Sequence, residues 1–317
     1  MNNRTKLIIL ASLAVLLSAL FVFYNLGGNW GYILPRRGMK VLAIVVTGAA
    51  IACSTVVFQT ITNNRILTPS IIGLDSLYVL IQTFFIFVFG SASVVVSDQN
   101  INFALSVTLM ILFAGLFYKL LFGNEGRNIY FLLLVGIVLG TLFGSISTFM
   151  QVLIDPNEFF VVQDRMFASF NNVNTDILLF SMMMFIGVAA YFWKFLKYLD
   201  VLALGRDEAV NLGVDYEYIV KRLLVLIAIL ISIATALVGP ITFLGLLVAN
   251  VTYEFLRTYK HAYLLWGAMF ISVISLIGGQ FLVERVFTFS TTINVIINFI
   301  GGVYFIYLLL RGNKSWS

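Results

Sequence analysis

The 317 residues are 61% hydrophobic and only 10% charged, with a mean hydropathy of +1.02 and a net charge of +5. Soluble domains hold about 45–50% apolar and about 25% charged residues, so a soluble enzyme or a nucleic-acid-binding module is excluded, and the surplus of lysine and arginine marks loops kept on the inner side of a bilayer. One cysteine, Cys53, one histidine, His261, and no H-E-x-x-H leave neither a disulfide framework nor the constellation an intramembrane enzyme needs.

Apolar runs recur along the chain, each close to the length that crosses a hydrocarbon core of about 30 Å as a helix, and none alternates with the period of two that a barrel strand requires. They predict an all-α polytopic integral membrane protein with about ten transmembrane helices, at 7–24, 39–61, 71–90, 101–120, 130–153, 177–196, 219–239, 241–256, 262–283 and 291–310. The first run follows Arg4 and Lys6; its length, and the lack of a small-x-small cleavage pattern at 26–30, predict a retained helix. The segment 154–176 predicts an interfacial helix around 161–170. Gly239-Pro240 is expected to end the seventh span and open the eighth, since proline is tolerated in a first turn.

With a cytoplasmic N-terminus, fourteen of the nineteen lysines and arginines fall in inner segments, so both termini are expected in the cytoplasm. The chain reads as one transmembrane domain, 1–317. Between the sixth and seventh spans lies a polar island, LALGRDEAVNLGVDYEYIVKRLL (202–224), and eight charged side chains stand between Asp200 and Arg222. Gly213 is a natural helix stop. Leu202, Ala209, Val210 and Leu212 are expected on one face of a short surface helix, with Asp207, Glu208 and Asn211 on the other. Such a helix suits docking, although a charge run is more often a solvated linker.

The spacing within that island is Leu204-Gly205, three residues, Ala209, two residues, Leu212-Gly213. It resembles the LG-x3-A-x2-LG coupling helix of the permease subunits of type II ABC importers, the FecCD family, which carry ferric siderophores, haem and vitamin B12. The resemblance continues through Gly239, Pro240, Ile241, Phe243, Gly245 and Leu246, which fit a G-P-I-x-F-x-G-L segment, and through Pro35, Arg36, Leu42, Ala43, Gly48, Ala49, Gln59, Asn64, Pro69 and Gly73. The ending 293–311 is similar to the family's last span. Where the family reads Pro-His, this chain has Ala249-Asn250, which looks like the permeases for petrobactin- or anguibactin-type catecholate siderophores.

The resemblance implies a coupling helix at about 201–213, with Gly205, Arg206, Asp207, Glu208, Ala209, Leu212 and Gly213 seated on an ABC ATPase subunit. The sequence has no G-x-x-x-x-G-K-[ST], so ATP is expected in that partner, and the chain itself is expected to be a non-enzymatic transport subunit with no cofactor, iron arriving as a siderophore chelate. The other implied partners are a second permease chain, paralogous or identical, and an extracytoplasmic siderophore-binding protein docking at Arg36, Arg37 and Arg285. The fifth and tenth spans are implied to line the pathway of a bacterial cytoplasmic-membrane importer, with Gly136, Gly140, Gly144 and Asn250 as candidates. Small residues four apart serve close helix packing equally well. Asp75 and Glu254 are expected to pair with inner arginines; were Asp75 instead free in the membrane, an ion-coupled secondary transporter would be the alternative. The same ABC architecture carrying haem or cobalamin is another.

Overall fold

The computed structural model describes residues 2–25, 29–122, 129–171 and 173–312. Among them the regular structure is helical: α1 (Asn3–Phe23), α2 (Trp30–Thr62), α3 (Leu74–Phe89), α4 (Val94–Ser97), α5 (Gln99–Phe122), α6 (Ile129–Leu153), α7 (Pro156–Met166), α8 (Thr175–Phe192), α9 (Leu196–Leu202), α10 (Arg206–Asn211), α11 (Tyr216–Val238), α12 (Leu244–Leu256), α13 (His261–Arg285) and α14 (Ile293–Gly312). Each of the ten expected spans holds one of these helices. Seven of them, α1, α2, α5, α6, α8 with its continuation to Leu202, α11 and α13, are long and apolar enough to cross a bilayer; α3, α12 and the apolar part of α14 (Ile293–Tyr307) are shorter.

The centre of the bundle is α2, buried almost continuously from Ala43 to Thr62 against α11, α12 and α13. Its buried stretch is rich in glycine, alanine, serine and threonine, and small side chains let helix backbones approach where lipid offers no hydrophobic drive to associate. Gly48 lies under Ser272 of α13, where a Cβ would meet Oγ at 2.6 Å, and Gly245 of α12 lies against Thr55. The hydroxyls of Ser54 and Thr62 donate to their own helix at the carbonyls of Ala50 and Phe58, at 2.6 and 2.8 Å, and Thr60 Oγ1 lies 2.8 Å from Val56 O. This is how a polar side chain is accommodated in a helix with no water near it.

Helix limits depart from the sequence reading at four places. α2 begins at Trp30 and carries Pro35 inside it. The helix expected around 161–170 is α7 and starts earlier, because Asp155 caps it, accepting from Asn157 N at 2.9 Å, and Pro156 fills its first position. Residues beyond Met166 are drawn out of helix instead: Ser169 N donates to Val238 O (2.8 Å), and Gly239 lies against Ala168. The eighth span starts at Leu244, not at Pro240. Gly239 takes φ +100°, and Gly301 of α14 presses on Phe243 with 2.7 Å between its would-be Cβ and Phe243 Cβ, so 239–243 runs as a non-helical strap. The third span starts at Leu74, after a 3-10 turn at Pro69–Ile72.

Because Gly245 has no room toward Thr55 while Gly278 has nothing within 4 Å, Gly245→Ala is expected to lower the thermal unfolding midpoint in detergent, at a cost of about 1–3 kcal/mol. Gly278→Ala should leave the midpoint unchanged.

Candidate functional site

The polar island folds as a compact knob. After α9, the turn closes through Leu204 N to Val201 O and Gly205 N to Leu202 O, both 3.1 Å. Gly205 sits at φ +107°, ψ 170°, a conformation costly for any residue with a Cβ. α10 follows for six residues and stops at Gly213, φ +81°. Val214 N reaches Ala209 O at 3.0 Å and Gly213 N reaches Val210 O at 2.9 Å, the paired bonds of a glycine-ended Schellman cap. Asp215 then caps α11 by accepting from Tyr218 N.

The apolar side chains of the knob divide differently from the expected single face. Leu202 and Ala209 are buried beneath it, but Leu204, Val210 and Leu212 are 60%, 51% and 63% exposed. The Schellman turn is the reason: it reverses the chain at Gly213 and leaves the last residues of α10 pointing away from α9. Arg206, Asp207 and Glu208 stand beside the exposed trio. Arg206 Nη2 is 3.7 Å from Glu217 Oε1 with both side chains largely exposed, a contact worth at most about 1 kcal/mol. Three exposed apolar side chains ringed by charge have the make-up of a docking surface.

Beneath the knob, α2, α9 and α13 are joined by His261, which is only 3% exposed. Its backbone N donates to Asp200 Oδ1 at 2.8 Å and its Nδ1 donates to the same oxygen at 2.7 Å. Its Nε2 is 2.8 Å from Thr60 Oγ1 on α2. Thr60 has one proton and two acceptors in reach, His261 Nε2 and Val56 O, so it serves the ring when the imidazole is neutral and its own helix when the ring is doubly protonated. Gly205 lies beside Asn63, which ends α2 in a left-handed turn. The knob therefore rests on the C-terminal end of α2. Only the position of His261 at a helix start was legible in the sequence; its partners lie about 60 and 200 residues away and left no pattern.

At the end of the bundle opposite the knob, the three candidate arginines have separate environments. Arg36 is exposed and bonds Tyr32 Oη at 2.8 Å. Arg37 folds back and donates to the carbonyls of Val22 (3.1 Å) and Tyr24 (2.6 Å), covering the end of α1. Arg285 is exposed and lies 5.4 Å from the Tyr24 ring centroid. Among them is a polar cluster the sequence did not suggest: Lys40 Nζ donates to Glu284 Oε1 (2.8 Å) and Asn171 Oδ1 (2.9 Å), and Gln280 Nε2 donates to both of those oxygens. It borders a groove of about 670 Å³ that also touches Arg36.

The pathway candidates separate as well. Gly136 and Gly140 on α6 receive the turn that precedes α3. A Cβ on Gly136 would come 2.9 Å from Ile72 Cα, and one on Gly140 would come 3.2 Å from Gly73 Cα. Gly144 faces open space. It lies among exposed hydroxyls, Thr141, Ser145 and Thr148, each donating to the carbonyl four residues earlier. Asn250 donates to Arg65 O and Leu246 O, both 2.9 Å, so its amide secures the chain entering the 63–73 segment. Asp75 Oδ1 accepts from Thr235 at 3.4 Å rather than meeting an arginine, and Glu254 Oε2 accepts from Tyr304 at the same distance. Among the described residues no cluster of three or more histidine, cysteine, aspartate or glutamate side chains is placed to hold a metal.

Two outcomes are expected. His261→Ala leaves the half-exposed Asp200 and the buried Thr60 hydroxyl without their ring contacts, at a cost of about 1–2 kcal/mol in a thermal-shift assay, and His261→Asn, which keeps a donor near the Nδ1 position, should recover part of it. Gly136→Ala should reduce the yield of folded protein, since backbone cannot yield to the new methyl, while Gly144→Ala folds normally.

A model of the FecCD transport family matches residues 5–311. The chain is 64% identical over 316 residues, all of both chains, to the petrobactin import system permease protein YclO of Bacillus subtilis (strain 168). It is 38% identical over 279 residues, 88% of this chain and 79% of the relative, to the petrobactin import system permease protein FatC of Bacillus anthracis. A solved structure described as an inward-facing metal-chelate type ABC transporter superposes with a TM-score of 0.80 at 23% identity, covering 98% of this chain and 100% of the other, which establishes a common fold. The chain belongs to the FecCD transport family.

Proposed function

We infer that the chain is a permease subunit of an ATP-driven importer of ferric siderophore in the bacterial cytoplasmic membrane, and that petrobactin is its cargo. The observation that carries this is the 64% identity, end to end, with a petrobactin import permease. The ten helices are its spans and both termini face the cytoplasm, supported by the lysine and arginine distribution. The second permease chain is a paralogue or a copy of this one. It covers the exposed faces of α6 and α14, and the hydroxyl row of α6 with Gly144 supplies a weakly polar wall for a bulky chelate. Gly136 and Gly140 support that wall from behind. An extracytoplasmic binding protein docks on Arg36 and Arg285, whose guanidinium groups are exposed on the outer side; Arg37 secures the rim by holding the end of α1.

ATP is bound and hydrolysed by separate ATPase subunits. Leu204, Val210 and Leu212 enter a groove on the ATPase, with Arg206, Asp207 and Glu208 setting register at its edge. When the ATPases close, the knob is displaced. Asp200 passes that displacement through His261 to α13 and through Thr60 to α2, the helix every inner element leans on. A rigid knob on a buried polar joint converts a movement at the surface into a tilt of the bundle.

Co-purification from native membranes tests this. Wild-type chain is expected to bring down an ATPase and a permease partner. Leu204→Asp with Leu212→Asp should weaken ATPase binding by about tenfold or more while leaving thermal stability unchanged, as for central interface side chains. Reconstituted complex should take up radio-iron petrobactin only when ATP is hydrolysed; uptake by the chain alone overturns the reading.

A further inference from the structure

We propose that the groove between α8 and α11 is a binding site for one anionic phospholipid, with an acyl chain along the groove and the phosphate held at its mouth by Lys194, Lys221 and Arg222. The groove has a volume of about 480 Å³. Its walls are Val188, Val225, Leu226 and Ile229, and it opens at Gly187, where an added Cβ would meet nothing within 4 Å. Such a wall holds hydrocarbon and little else.

The mouth is different in kind. Arg222 Nη1 donates to Tyr191 Oη at 3.0 Å, and Arg222 also lies 5.1 Å from the Tyr218 ring centroid. Lys194 Nζ is 5.6 Å from the centroid of the same Tyr191 ring. Lys221 lines the groove beside them. One aromatic side chain thus gathers two cations at the mouth, a third adjoins, and no carboxylate lines the groove. Like charges assembled around neutral rings repel one another, and an anion seated between them relieves that repulsion.

Trp193, 70% exposed and adjacent to Lys194, fixes the level of the mouth, since tryptophan side chains exposed on membrane proteins settle at the headgroup layer. The anion abundant at that layer on the inner leaflet is a lipid phosphate. The site rests on the inner placement of residues 193–222 proposed above. It also lies on the first turns of α11, directly after the knob, so a bound lipid would brace the helix that the ATPase pushes.

The test uses the full-length chain in nanodiscs of phosphatidylcholine doped with phosphatidylglycerol, with native mass spectrometry of the protein and its retained lipid. Wild type is expected to retain one phosphatidylglycerol with a preference over phosphatidylcholine on the order of tenfold or more. Arg222→Gln with Lys194→Gln should abolish the preference, Gly187→Phe should remove the retained lipid by filling the groove, and Lys260→Gln, a cation elsewhere on the inner side, should change nothing. Equal retention of both lipids by wild type, unchanged retention in Gly187→Phe, or displacement by excess inorganic phosphate overturns the proposal: the first two leave annular lipid only, the third a site for free phosphate. Should the double variant fold poorly, Gly187→Phe still decides. No partner subunit enters the measurement, so its failure is distinguishable from failure of the importer reading.

Discussion

Two stretches of backbone outside the α-helices, 63–73 and 239–243, lie between the long helices, and each is held by groups brought from elsewhere in the chain. An unpaired peptide group in hydrocarbon costs several kcal/mol, so irregular backbone survives at membrane depth only inside protein. The first stretch is held by side chains brought from both flanks: Gln59 and Asn250 both donate to Arg65 O, at 2.7 and 2.9 Å. Its last turn is seated on Gly136 and Gly140, where only glycine lets two backbones come that close. The second stretch is enclosed between the 167–169 segment on one side and Gly301 on the other. The glycines of α6 and α14 are therefore the counterpart of two breaks elsewhere in the chain.

That constraint explains which parts of the fold could be read from sequence. Long apolar runs such as 7–24 and 219–239 announce their helices through composition alone, because lipid selects on composition. Gly205 and Gly213 announce α10, because both need positive φ. The start of α12 was misplaced at Pro240 because Gly239-Pro240 fits a helix junction locally, and only Gly301, some sixty residues later, holds Phe243 out of the helix. Arg37 read as an outward-facing charge because nothing in its neighbourhood shows that α1 ends beneath it. The main-chain contact of Asn250 was hidden for the same reason: its partner carbonyl at Arg65 lies 185 residues away. Several polar side chains in this chain are spent on distant backbone, and hydropathy carries no trace of that.

The polar contacts gather at the two ends of α2. At the outer end Lys40, Asn171, Gln280 and Glu284 tie it to α13 and the 167–171 segment. At the inner end Thr60 and His261 tie it to α13 and α9, and Tyr216 Oη reaches Ile61 O at 3.4 Å from the start of α11. The length between is packed on small residues with no comparable links. A helix fastened at both ends and smooth along its middle can tilt as a unit while its neighbours keep their own registers, which is the kind of element a two-state transporter requires.

The N-terminal helix raises a matter of timing. Lys6 Nζ donates to Phe255 O at 2.6 Å and Leu256 O at 3.4 Å, closing the end of α12, and α1 packs along α13. Those partners are synthesised 249 residues after Lys6. At roughly 5–20 residues per second, α1 waits in the bilayer for about 12–50 s before its own seat exists. Throughout that interval its apolar surface and the ammonium of Lys6 are open to whatever else is in the membrane. The last steps of assembly thus include seating a segment made long before, and a nascent chain halted before α13 would carry α1 held only by its contacts with α2, its α13 face available to the insertion machinery or to a membrane protease.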